Sequence, residues 1–216
     1  MDKEIEKALD TIDSVNPFAT YLSDSTLSRV GGWVDTGSYV LNAIVSGSLH
    51  GGIPKGRVTM LAGESMTGKS LFVMKILAAA QKSGLIPVIF DTENAIDPEG
   101  AERLGLDVSK VKYVPCISIE QTRNALYKFL TSIKDKGLEG KFIIAIDSLG
   151  NLQSELSLAR MGKDNTSSDM GTNARAMKSL MQTCTNLGAV TQTTIICTNH
   201  VYDNPAALFP SIEKNM

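Results

Sequence analysis

The stretch "GESMTGKS", residues 63–70, constrains this chain more than any other part of it. It fits the pattern G-x-x-x-x-G-K-[ST], in which a glycine-rich loop leads from a strand into a helix and cradles phosphate groups. Its flanks agree: "RVTMLAG" reads as a buried strand and "KSLFVMKILAAAQKSG" as an amphipathic helix. Gly63 and Gly68 allow backbone conformations that a Cβ would forbid. The N–H groups of Glu64, Ser65, Met66 and Thr67, and those opening the helix as far as Leu71, are then expected to face an anion. Lys69 would set a cation on the β and γ phosphates, and the Ser70 hydroxyl would be offered to Mg²⁺.

Downstream, short apolar runs alternate with helical patterns. "PVIFDTE", "KYVPC", "KFIIAIDS" and "TTIICTNH" read as strands. Helices are expected over "PEGAERLG", from about 119 to 136, and across 171–187. Such alternation implies an α/β fold, a mainly parallel sheet with helices on both faces. Two of the strands deliver acidic residues at their C-terminal ends, where open α/β sheets hold their ligands. Asp147 is the candidate for the Mg²⁺ shell. Asp91 and Glu93 alternate with Thr92, so they are expected to share a side of their strand, and Glu93 is the candidate to orient and deprotonate an attacking water.

The net charge of −2 excludes a globally basic nucleic-acid binder, so any such contact must come from a local cationic segment. Residues 149–170 form a polar stretch, expected to lack regular structure, that carries Arg160 and Lys163; Arg175 follows on the next helix. The cysteines Cys116, Cys184 and Cys197 show no metal-ligand spacing, and no apolar run approaches the ~18 residues of a membrane span. With a charged N-terminus, these features point to the cytoplasm and away from membranes. Residues 1–32 read as a helical arm preceding a core over 33–216. Within it Ile5, Ala8, Leu9, Ile12 and Val15 share one helical face, which either packs on the chain's own core or docks on another subunit.

Several segments, in order, resemble the core of the RecA family of recombinases. "TGSYVLNAIVSGSLHGGIPKGRVTMLAGESMTGKS" is similar to the family's opening segment, and "FDTENAIDP" to its glutamate strand and adenine-side loop. "FIIAIDSLGNLQSE" resembles the strand running into the first DNA-binding loop, "SDMGTNARAMKSLMQ" the helix after it, and "IICTNH" the strand before the second. The likeness runs from about residue 33 onward and is greatest to the tailed-phage (UvsX-type) group. It implies a DNA-dependent ATPase that takes ATP and Mg²⁺ and forms a helical filament on single-stranded DNA. That filament would pair with a homologous duplex, helped by a loader and a single-strand-binding protein. It also implies that Glu93 is the base, that His200 senses the γ-phosphate, that Asp97 lies beside the adenine, and that Arg160, Lys163 and Arg175 contact DNA. Gly100 stands where bacterial members stack an aromatic on the base. The alternatives are a motor or switch ATPase of the same fold, or an ATP-binding filament component without turnover. The chain stops within the part that resembles the second DNA loop, so a fragment or a short relative with slow hydrolysis is expected.

Overall fold

A computed structural model describes residues 3–25, 27–161, 170–203 and 214–215. The chain separates into two compact units, residues 1–30 and 31–216. In the first, α1 (Lys3–Val15) forms where the apolar spacing places it, and none of its residues is buried. Its stripe of Ile5, Leu9, Ile12 and Val15 is exposed.

The second unit opens with a two-stranded antiparallel ribbon, β1 (Trp33–Val34) and β2 (Ile53–Pro54), around α2 (Tyr39–Ser46). Ser38 caps that helix by accepting from the Leu41 N–H, and Gly47 ends it in the left-handed region. Gly52 is required here: at φ +131° an added Cβ would lie 2.1 Å from the Val34 carbonyl oxygen. There follow β3 (Val58–Gly63), α3 (Lys69–Lys82), β4 (Ile86–Asp91), α4 (Pro98–Arg103) and β5 (Lys112–Pro115). Then come α5 (Ile119–Asp135), β6 (Phe142–Asp147), α6 (Glu155–Met161), α7 (Met170–Val190) and β7 (Thr194–His200). A short pair, β8 (Tyr202–Asp203) and β9 (Lys214–Asn215), is antiparallel.

The five strands β3 to β7 make one sheet in the order β3-β7-β6-β4-β5, and every pairing is parallel. Successive side chains of a strand point to opposite faces, and two separate cores result. Ile89, Ile143, Ala145 and Ile196 face α3, whose Val73, Ile76 and Leu77 are buried against them. Phe90, Ile144, Ile146 and Ile195 face the other way, against Leu126 and Leu130 of α5 and Leu180 of α7. The expected α/β architecture, with helices on both faces of a parallel sheet, is what the chain adopts.

Three expectations need correction. β3 is not buried: among the described residues it pairs on one side only, and Met60 is 40% exposed. An edge strand lacks one neighbour to cover it, which the apolar run alone does not reveal. Residues 149–170 are not wholly irregular, for a 3₁₀ turn spans Leu149–Asn151 and α6 follows. The polar side chains of Ser154 and Ser157 that suggested a loop are instead buried and bonded to each other, and the Ser157 hydroxyl also donates to Asn173. Finally, β4 ends at Asp91, so Glu93 lies in the turn beyond it and shares no strand face with Asp91.

Candidate functional site

Parallel pairing brings all five C-terminal strand ends to one rim of the sheet. Register then sets neighbours: Gly63 lies opposite His200, and Asp91 opposite Asp147. Ser70, Leu71, Asp91, Glu93 and Asp147 all line one cavity of about 360 Å³ at this rim.

The loop from Gly63 to Gly68 is shaped by its glycines. Gly68 takes φ +87° just before α3, and a Cβ on Gly63 would come within 2.9 Å of the Thr67 hydroxyl oxygen. Met66 also has positive φ and is fully exposed. Thr67 donates to the Glu64 carbonyl at 2.8 Å. Lys69 folds back on the loop, donating to the carbonyl oxygens of Gly63 at 3.0 Å and Glu64 at 2.7 Å. Its ammonium lies 3.5 Å from His200 Nδ1. An incoming phosphate therefore competes for a cation that the loop already holds.

The turn carrying Glu93 is built by its neighbours. Asp91 is 1% exposed, and its Oδ1 accepts the N–H groups of Glu93 and Asn94, both at 2.9 Å. The Tyr113 hydroxyl donates to Asp91 Oδ2 at 3.1 Å. Thr92 clamps this turn to the end of β6: its hydroxyl donates to the Ser148 carbonyl at 2.8 Å and accepts the Ser148 N–H at 2.9 Å. Ser148, thus placed, donates its own hydroxyl to Glu93 Oε1 at 2.7 Å. His200 Nε2 lies 3.2 Å from the same oxygen. The Ser148 hydrogen bond holds the Glu93 carboxyl below the usual glutamate value; partial burial opposes this, while His200 and Lys69 reinforce it. Glu93 is thus ionised near neutral pH and able to accept a proton.

A family model described as the RecA N-terminal domain matches residues 3–215. The chain belongs to the RecA family. Protein RecA of Chlorobium chlorochromatii is 29% identical over 98% of this chain and 57% of its own length. Protein RecA of Chlorobaculum tepidum is 32% identical over 83% of this chain and 49% of its own. The recombination and repair protein of Enterobacteria phage T4 is 31% identical over 76% and 41%. The chain spans about half the length of these relatives.

RecA-family membership implies ATP and Mg²⁺, and the donor set can be tested against the cation. Ser70 and Asp147 both line the cavity, and both offer the hard oxygen that Mg²⁺ prefers. Asp147 is 6% exposed, and the Thr198 hydroxyl engages its Oδ1. No group of three or more His, Cys, Asp and Glu is gathered among the described residues. Mg²⁺ keeps water and takes substrate phosphates alongside one or two protein ligands, a number that Ser70 and Asp147 supply. The residues fit. No helix among the described residues is long and apolar enough to cross a membrane.

Asp97 lines the cavity, but its carboxylate also caps α4. Oδ1 accepts the Glu99 N–H at 3.1 Å, and Oδ2 accepts the Gly100 N–H at 3.0 Å. The candidate DNA residues are less gathered. Arg160 is half-buried near the end of α6, Arg175 is exposed on α7, and Lys163 lies outside the described residues. Asn173 joins α6 to α7 by accepting the Ser154 N–H and the Ser157 hydroxyl, both at 2.9 Å. His200 also lines a second cleft of about 400 Å³, with Met177, Asn173, Leu149 and Tyr202.

Sequence reasoning missed Ser148, Thr198 and Tyr113. Ser148 follows Asp147 directly, but only the clamp by Thr92 turns its hydroxyl to Glu93. Thr198 carried one signal, a polar residue inside an apolar strand, which is 0% exposed in the fold.

Proposed function

We propose that this chain is the ATP-hydrolysing core of a strand-exchange recombinase, of the kind found in tailed phages, that acts on DNA. The observation that carries the reading is the position of His200. It touches Glu93, which lines the nucleotide cavity, it approaches Lys69 of the phosphate loop, and it lines the second cleft beside the start of α7. In this reading a phosphate arriving at Lys69 draws the ammonium away from His200, so that occupancy of the nucleotide cavity would be felt at the second cleft.

In the proposed reaction ATP lies along the cavity, its phosphates against the amides of residues 64–71, and Lys69 leaves the loop carbonyls for the γ-phosphate. Ser70 and Asp147 would hold Mg²⁺, whose charge offsets that developing on the phosphoryl oxygens. Glu93, fixed by Ser148, accepts a proton as water attacks the γ-phosphorus; the bond to the β-phosphate oxygen breaks, and ADP and phosphate leave. His200, relieved of Glu93, follows the γ-phosphate and moves the strand end that leads into β8. Single-stranded DNA would run along the side bearing α6 and the start of α7, near Arg160 and Arg175. A filament would form through the exposed stripe of α1, and its users would be homologous duplex DNA, a loader and a single-strand-binding protein in the cytoplasm. The arm over 1–32 and the core over 33–216 would divide the work between assembly and catalysis.

Phosphate release with and without single-stranded DNA tests this. The recombinase reading expects DNA to raise the rate and expects His200→Ala to abolish the rise while ATP still binds. A DNA-independent rate would favour a motor or switch ATPase of the same fold.

A further inference from the structure

The cavity that holds Glu93 does not end at the phosphate loop. From Ser70 and Asp147 it runs past Leu71 and Ile96 to Gly100, Arg103 and Leu104. A triphosphate seated at the loop leaves only that far end for the nucleoside, and the volume of about 360 Å³ falls within the range of small-molecule sites. Among the described residues, no side chain lining this cavity is aromatic. The walls at the far end are aliphatic, apart from Asp97 and one planar, delocalised group, the guanidinium of Arg103.

Two carboxylates lie beside this group. Arg103 Nη2 lies 3.3 Å from Asp97 Oδ2 and Nη1 lies 3.9 Å from Glu99 Oε2. Carboxylates take up the N–H edge of a guanidinium and leave its flat faces open. The Gly100 backbone leaves the space: a Cβ there would sit 3.5 Å from Arg103 Nη2 and 2.6 Å from Asp97 Oδ2. A side chain at Gly100 would push against the Asp97 carboxylate that caps α4, while it would only touch Arg103. Gly100 thus leaves room for the Asp97 carboxylate that pairs with Arg103.

We infer that Arg103 is the base-recognising residue of this site, its guanidinium stacking on the purine of the bound nucleotide. The inference rests on the nucleotide-site reading above and goes beyond it by assigning the base. Guanidinium planes stack on π-faces by a cation–π attraction, and a lysine ammonium has no such plane. Arg103 is 69% exposed, so replacing it leaves the packed core untouched.

The test is calorimetric titration of the wild type, Arg103→Ala and Arg103→Lys with Mg-ATP and with Mg-tripolyphosphate, which lacks a nucleoside. Both variants should bind ATP about five- to tenfold more weakly than the wild type, and tripolyphosphate equally well. Unchanged tripolyphosphate binding also shows that each variant is folded. Wild-type ATP affinity in Arg103→Lys would mean that charge alone is used, and would overturn the inference. So would an equal loss for both ligands, or a wild type that binds tripolyphosphate as tightly as ATP. If the wild type binds neither ligand, the phosphate-loop reading itself falls, and this inference with it.

Discussion

Ser148→Ala is the most informative small change, because it removes one hydroxyl and leaves the fold around it intact. The lost contact is the 2.7 Å hydrogen bond to Glu93 Oε1. Hydrogen bonds to charged groups contribute about 1.5–3 kcal/mol. The Glu93 side chain is 30% exposed, so water replaces part of the contact and the net loss at neutral pH is about 1–2 kcal/mol. The sign with pH follows from Glu93 itself, whose carboxyl the bond holds below its ordinary value. A depressed carboxyl contributes stability that is present above its unfolded-state value, ~4.3, and is lost as pH falls through the folded one. The cost of Ser148→Ala should therefore be full at about pH 7 and shrink in acid. Urea unfolding of both proteins at about pH 7 and about pH 3 measures it, with an unchanged denaturant slope confirming the same denatured state. In the hydrolysis assay the acidic limb of the rate should move to higher pH, since Glu93 becomes more basic. A stability loss equal at both pH values would show that Ser148 acts by packing and not through the Glu93 charge.

Lys69→Ala should weaken Mg-ATP affinity about tenfold or more by removing the cation opposite the phosphates, as titration would show; undiminished affinity would mean that ATP binds elsewhere. Replacing both Leu9 and Ile12 with Asp puts charge into the exposed stripe of α1. It should leave a folded, ATP-binding protein that no longer forms long assemblies by light scattering, whereas persistent polymers would show that the stripe is no contact surface.

Much of the fold was legible, and the reason is physical. A parallel sheet buries its strands on both faces, so "VIF" in β4 and "FIIAI" in β6 appear as unbroken apolar runs that are hard to mistake. The glycine loop was legible because close phosphate approach requires residues without side chains at fixed spacing. The exposure of β3 was not, since an edge strand and a central one share the same residues, and only the sheet order tells them apart. The turn holding Glu93 was hidden for a different reason. Asp91 looked like a partner of Glu93 on a strand, yet its carboxylate is spent on the backbone of that turn. Ser148 depends on contacts with Thr92 and Glu93, distant in the chain, and no local pattern announces them.

The central claim, that Glu93 is the base of an ATP-hydrolysing site, is tested most directly by single-turnover hydrolysis of Mg-ATP by the wild type and Glu93→Gln. Binding of ATP is measured on the same samples. Glutamine keeps the size of the side chain and an oxygen for the Ser148 hydroxyl, but it cannot take up the proton. The account predicts equal ATP binding and a rate about 10²-fold lower or less still in Glu93→Gln. Equal rates in the two proteins would contradict it.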